Sequence, residues 1–271
     1  MKQNDEVEII EKTKENVNVD GNVEVITVNP VKKRKKWYEV LKKIMKVRYK
    51  KPAFIYLDSE RGFKYGSIIL SNHEGTDAPM SLEIYSSHPT RAWGAHEMNG
   101  SLKELYRYQT KVYYHEKKHW NLFLARLFCL LASPLTHLFY RGLNLISTYK
   151  DARFIKTIKE SVSTIKAGES VVIYPENSEK GYLEQLEGIH LGFTLLGESL
   201  IKNGIDAYIH PAYYRKSDNV YIIDKPIRYS ELSNGRTRQQ VADWVLNRIN
   251  QLGRMEFDKE EVEALRQRKD D

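Results

Sequence analysis

The chain has 271 residues, 41% of them hydrophobic and 11% aromatic, enough to bury a sizeable core. Its single cysteine, Cys129, excludes a disulfide framework and the cysteine-based zinc spacings, and fits a reducing interior. The net charge of +7 is concentrated in one place: residues 32–51 hold eleven Lys or Arg against one acid, Glu39, so this segment expects an anionic partner.

Residues 1–31 are polar and mildly acidic, and no secretory leader is expected. Valines alternate on both sides of Asp20-Gly21, a hairpin signal with too few apolar residues for a core, and the segment is expected to be a mobile tail. From Lys32 to Arg48, Trp37, Leu41, Ile44 and Met45 recur at helical spacing with lysines on the other face, and Pro52 ends the pattern. Such a basic amphipathic helix suits an anionic membrane surface, each cation adding about 1 kcal/mol near the lipid. A solvated helical face is the plainer alternative. Nucleic acid is not expected, because no groove-reading motif accompanies the charges.

Residues 53–57 and 66–71 read as strands, 79–87 as a short helix and Arg91 to Ala95 as another strand. Residues 101–118 are polar with a Tyr-rich face. The segment 120–140 is the most hydrophobic, interrupted by Arg126 and Pro134. Its longest uncharged run, Leu127 to Tyr140, is shorter than the roughly 20 apolar residues a membrane span needs, which favours a buried or half-inserted helix. Leu143 to Ser147 reads as a strand, Asp151 to Lys166 as a helix, Ser170 to Tyr174 as a strand and Leu183 to Lys202 as a helix. Asp206 to Tyr214 and Asn219 to Asp224 read as strands, Arg236 to Leu252 as a helix, and the charged residues from Asp258 as a frayed tail. The alternation predicts an α/β fold with a central, mostly parallel mixed sheet covered by helices on both faces.

Chemistry centres on Ile68 to Met80. His73 and Asp77 leave the end of a predicted strand, where open α/β sheets place their sites. If the chain turns helical directly after Ser71, the two share one helix face, about 5–6 Å apart between Cβ atoms, and the carboxylate can orient the imidazole as a general base. Alternatively Asp77 only caps a helix that opens near Pro79. A second motif, His115-Glu-Lys-Lys-His119, fits a helical zinc pair but lacks a third ligand and is flanked by lysines that repel a dication. It reads as an exposed basic face, and no metal is expected.

Four separated segments, Asn72-His73 with Asp77, Gly142-Leu-Asn-Leu-Ile-Ser, Val171-Val-Ile-Tyr-Pro-Glu-Asn-Ser, and Ile209-His-Pro-Ala with Lys225-Pro-Ile, resemble in order the four blocks of glycerophospholipid acyltransferases of the lysophosphatidate type. The resemblance covers residues 66–228 and implies an acyltransferase-like domain over 52–255. It further implies that His73 and Asp77 carry out acyl transfer from acyl-CoA or acyl carrier protein to a lysophospholipid or glycerol phosphate. The donor is a substrate, and no cofactor is implied. The implied substrate contacts are Asn72, Gly142, Pro175, Glu176, Asn177, Ser178 and Pro211. The sequence departs from the family in three ways. Three residues, not four, separate His73 from Asp77. Asn177-Ser178 replaces Gly-Thr. Ser147-Thr148-Tyr149 stands where an arginine is expected, leaving Lys150 or Arg153 as the phosphate cation. Glu176 orients the acceptor or the loop, or else caps the following segment, and His210 is a packed core histidine. The implied location is peripheral, on the cytoplasmic face of a membrane. An inactive lipid-binding protein of the same fold is the alternative.

Overall fold

In the computed structural model, the described residues are 14–17, 23–26, 36–58, 62–177 and 183–267. Within the N-terminal segment expected to be a tail, β1 (Lys14–Val17) and β2 (Val23–Ile26) pair antiparallel, Lys14 opposite Ile26 and Val17 opposite Val23. The valine-bearing segments on either side of Asp20-Gly21 thus pair as strands, while Asp20-Gly21 itself lies outside the described residues. Helix α1 (Lys36–Arg48) follows, then strand β3 (Ala53–Tyr56), strand β4 (Ile68–Ser71), helix α2 (Asp77–Tyr85) and strand β5 (Thr90–Ala95). Short helices α3 (His96–Asn99) and α4 (Leu102–Arg107) lead into a π-helical segment, Tyr108–Lys117, and the long helix α5 (Leu122–Leu143). The second half comprises β6 (Ile146–Thr148), α6 (Phe154–Lys166), β7 (Ser170–Ile173), α7 (Gly192–Lys202), β8 (Tyr208–Arg215), β9 (Val220–Ile223) and β10 (Ile227–Arg228). Helices α8 (Tyr229–Ser233), α9 (Arg238–Gly253) and α10 (Lys259–Gln267) complete it.

The main sheet runs β3-β9-β8-β4-β7-β5-β6, with β10 paired to β8. Every pairing is parallel except β8 with β9 and β10 with β8, so this is the α/β fold with a mostly parallel mixed sheet that the alternation predicts. Burial on both faces explains why β4, β7 and β9 are apolar almost throughout. Ile68 and Leu70 of β4 point into a core with α6, α7 and α9, while Ile69 points to the opposite face against Ala78 and Leu82 of α2.

Four local readings are corrected. Residues 183–191 are not helical. Asn250 clamps both backbone groups of Leu186 at 2.9 Å, and Ile189 bridges to Glu176, so α7 starts only at Gly192. Leu143 belongs to α5, which ends where Asn144 turns left-handed at φ 53°, and β6 begins at Ile146. The residues after Asp258 form α10 instead of fraying. Asp258 Oδ1 accepts from the Glu260 and Glu261 N–H groups, Val262 is buried, and Arg266 donates to the Asp218 carbonyl at 2.8 Å. In α1 the fully buried side chain is Tyr38, with Leu41 and Met45 half-buried beside it, whereas Ile44 faces outward.

Candidate functional site

Strands β4, β7 and β8 lie side by side and parallel, so the segments that leave their carboxyl ends converge. From β4 comes Asn72-His73-Glu74, from β7 Tyr174-Pro175-Glu176, and from β8 Lys216. Asn72 is buried, and its side chain continues the sheet. Nδ2 donates to the Tyr214 carbonyl at 2.9 Å, and Oδ1 accepts the Tyr214 N–H at 2.7 Å. Both ends of the amide therefore serve the loop and hold the chain fixed one residue before His73. The neighbouring Ser71 hydroxyl accepts from Tyr221 at 2.9 Å.

Glu176 secures the other side. Its Oε2 accepts the His73 N–H at 3.1 Å, and its Oε1 accepts the Leu183 N–H at 3.2 Å. Burial raises its carboxyl pKa, opposed by these two amides. The contacts fit both readings of Glu176 from the sequence, since Oε2 holds the His73 loop and Oε1 caps the segment that follows. The His73 ring lies 5.1 Å from the Tyr174 ring, tilted by 58°.

The shared helix face expected for His73 and Asp77 does not form. After His73 the chain makes a tight turn in which Glu74 (φ 40°) and Gly75 (φ 65°) are both left-handed, and α2 opens only at Asp77. Asp77 thus sits in the first helical turn, the position of the plainer reading, where a carboxylate complements the helix dipole. Its Oδ2 pairs with Lys216 Nζ at 2.7 Å, and Lys216 is raised in pKa by that hydrogen bond. Beside this pair a cavity of about 230 Å³ is lined by Glu74, Glu184, Tyr213, Lys216 and Arg254. Burial raises the Glu74 pKa, opposed by Lys216.

The remaining sequence candidates divide by position. Pro175 adjoins Glu176, and its carbonyl accepts the His190 N–H at 2.7 Å; the Asn177 N–H donates to Gly188 at 3.1 Å. Pro211 is buried in β8 directly beside Leu70, inside the sheet. Ser178 lies outside the described residues. Gly142 is elsewhere, near the end of α5, where a Cβ would come 2.0 Å from the Tyr38 ring. Lys150 and Arg153 follow β6 at the sheet edge, three strand spacings or about 14 Å across from β4. Arg153 is engaged there by Asp151 at 2.7 Å and lies 4.6 Å from the Tyr149 ring, while Lys150 is exposed.

His210 is buried in the middle of β8, and its Nε2 accepts the Lys64 N–H at 3.1 Å. Burial pushes its pKa down to about 4, as befits a neutral core histidine. The His115–His119 pair is broken, because His119 adopts φ 56° beyond the helix end and His115 Nδ1 contacts the Trp120 carbonyl at 2.9 Å. Among the described residues no group of three His, Cys, Asp or Glu is placed to hold a metal ion.

Sequence reasoning missed Lys216, Tyr174 and Tyr214. Lys216 carried no motif signal, since only the fold of the β8–β9 turn brings it to Asp77. Tyr174 and Tyr214 each follow or end an apolar strand and read as core. No family model matches the chain, and no curated protein matches it.

Proposed function

We propose that the protein is an O-acyltransferase that moves a fatty acyl group from a thioester donor to a hydroxyl of a lysophospholipid or glycerol phosphate. The observation that carries the reading is the placement of His73 at the carboxyl end of a central parallel strand, its backbone fixed from both sides by Asn72 and Glu176. A general base needs such fixed placement, because proton transfer requires hydrogen-bond reach to the substrate hydroxyl. In the proposed reaction a His73 ring nitrogen takes the proton of the acceptor hydroxyl as its oxygen attacks the thioester carbonyl carbon. The tetrahedral adduct then collapses with cleavage of the C–S bond, and the imidazolium returns the proton to the departing thiolate. No covalent enzyme intermediate is needed.

The test is thiol release from acyl-CoA and acyl carrier protein donors, with detergent-dispersed lysolipids or glycerol 3-phosphate as acceptors. Acceptor-dependent release that falls about 10³-fold in His73→Ala is expected, within the range for loss of a general base. Release that His73→Ala leaves intact would refute the assignment. The Asp77–Lys216 ion pair favours a second reading, a lipid-binding protein of this fold without turnover, since that carboxylate is already occupied. For that protein no donor and acceptor pair releases thiol, and lysolipid binding survives His73→Ala.

A further inference from the structure

Helix α5 has two unlike faces. Ala125, Cys129 and Ser133 are buried at four-residue spacing, and polar bonds fix the same side. Ser133 donates to Gln109 at 2.8 Å, Gln109 donates to Thr136 at 3.0 Å, and a His137 ring nitrogen meets the Gly100 carbonyl at 3.1 Å. The opposite side carries eight exposed large apolar residues, among them Phe123 at 71%, Leu127 at 53%, Leu131 at 77% and Leu135 at 62%. Helix α1 packs on the C-terminal end of α5, with Tyr38 against Phe139 and Gly142. It adds an outward stripe of Val40, Ile44 and Val47, the last 89% exposed, flanked by exposed Lys36, Lys43, Lys46, Arg48 and Lys50.

We infer that α5 lies in the plane of an anionic phospholipid bilayer, its Phe123–Leu138 face at the acyl-chain boundary and the cations of α1 on the headgroups. Among the described residues α5 is the one helix long and apolar enough to cross a membrane by length and composition, although its longest uncharged run reads as too short. Its inner face, however, is fixed to the protein from Ala125 to Leu143, which leaves only one side for lipid. A helix with an apolar face, the other side polar or engaged, and cations nearby is the pattern of an interfacial element. An apolar protein partner gains nothing from the lysines of α1, whereas anionic headgroups do. The inference does not rest on the acyl-transfer reading.

The full chain is mixed with vesicles of 30% phosphatidylglycerol in phosphatidylcholine, and binding is read by cosedimentation. Wild type is expected to bind, Leu127→Glu/Leu131→Glu to bind about 100-fold more weakly with unchanged circular dichroism, and Lys43→Glu/Lys46→Glu to lose most of its preference for the anionic lipid. Single tryptophans at positions 124, 131 and 138 should then be quenched alike by shallowly brominated lipid, as an in-plane helix requires. Unequal depths indicating a span overturn the inference. So does a wild type that ignores vesicles, a charged double variant that binds like wild type, or a solution dimer that the double variant converts to monomer. None of these readouts involves thiol release, so this surface and the catalytic assignment fail separately.

Discussion

His210 shows how burial sets a charge state. Its ring is neutral in the fold because burial depresses its pKa to about 4, while the unfolded chain protonates it near 6.5. The unfolded state therefore binds more protons between these values, so the stabilisation is complete above about 6.5 and is lost as pH falls towards 4, on the order of 3 kcal/mol in all. His210→Gln, which keeps an acceptor for the Lys64 N–H, should flatten that part of the stability profile in urea unfolding at stepped pH. Glu176 has the opposite dependence: a raised carboxyl pKa means its contribution is complete below the ordinary value of 4.5 and is lost as pH rises through the folded value. At the site itself, the Lys216 pairing of Asp77 predicts that Asp77→Asn costs no more than about tenfold in turnover, against about 10³-fold for His73→Ala. Comparable losses from the two would show that Asp77 leaves Lys216 for the imidazole during reaction. His73 and Glu176 were legible as candidates because each lies within three residues of the end of an apolar strand. The partner of Asp77 was not, because the chain returns to it only 139 residues later, through the β8–β9 turn.

Between elements, close packing decides what periodicity leaves open. The repeat in α1 pointed to Trp37, Leu41, Ile44 and Met45 as the apolar face, yet the side chain wholly enclosed is Tyr38, which lies against Gly142 of α5. Apolar residues lie on two sides of this helix, one meeting the protein and one facing out, and spacing alone does not separate them. Gly142→Ala should push α1 off α5 and lower the Tm by several degrees, at a cost of about 1–3 kcal/mol for overpacking. Adding Tyr38→Phe should not rescue it, because the ring carbons clash and the hydroxyl does not; in a Tyr38→Ala background, itself destabilised by loss of the buried ring, Gly142→Ala should add no further loss. The stretch 183–191 misled for a related reason. Its composition suits a helix, but the clamp on Leu186 comes from Asn250 on a distant helix.

On the scale of the whole molecule, the strand rhythm revealed the class of fold but not the order of the sheet. Strand β3, first in the body, lies at an edge against β9, and α10 packs on it from the far end of the chain. Removing residues 259–271 should therefore destabilise β3 and lower the unfolding midpoint, whereas a free tail could be cut without effect. Urea titration of the truncated and full chains decides between these. The bonds that hold Asn72 to Tyr214 join residues 142 apart in sequence. On a ribosome adding 5–20 residues per second, roughly 7–30 s separate the synthesis of the two partners. For the second half of that interval α5, complete at Leu143, already exists as an apolar helix while the loop at His73 has no β8 to close on. On the membrane orientation inferred for α5, the order of translation gives that helix its chance to meet a bilayer before the loop at His73 can hold its shape.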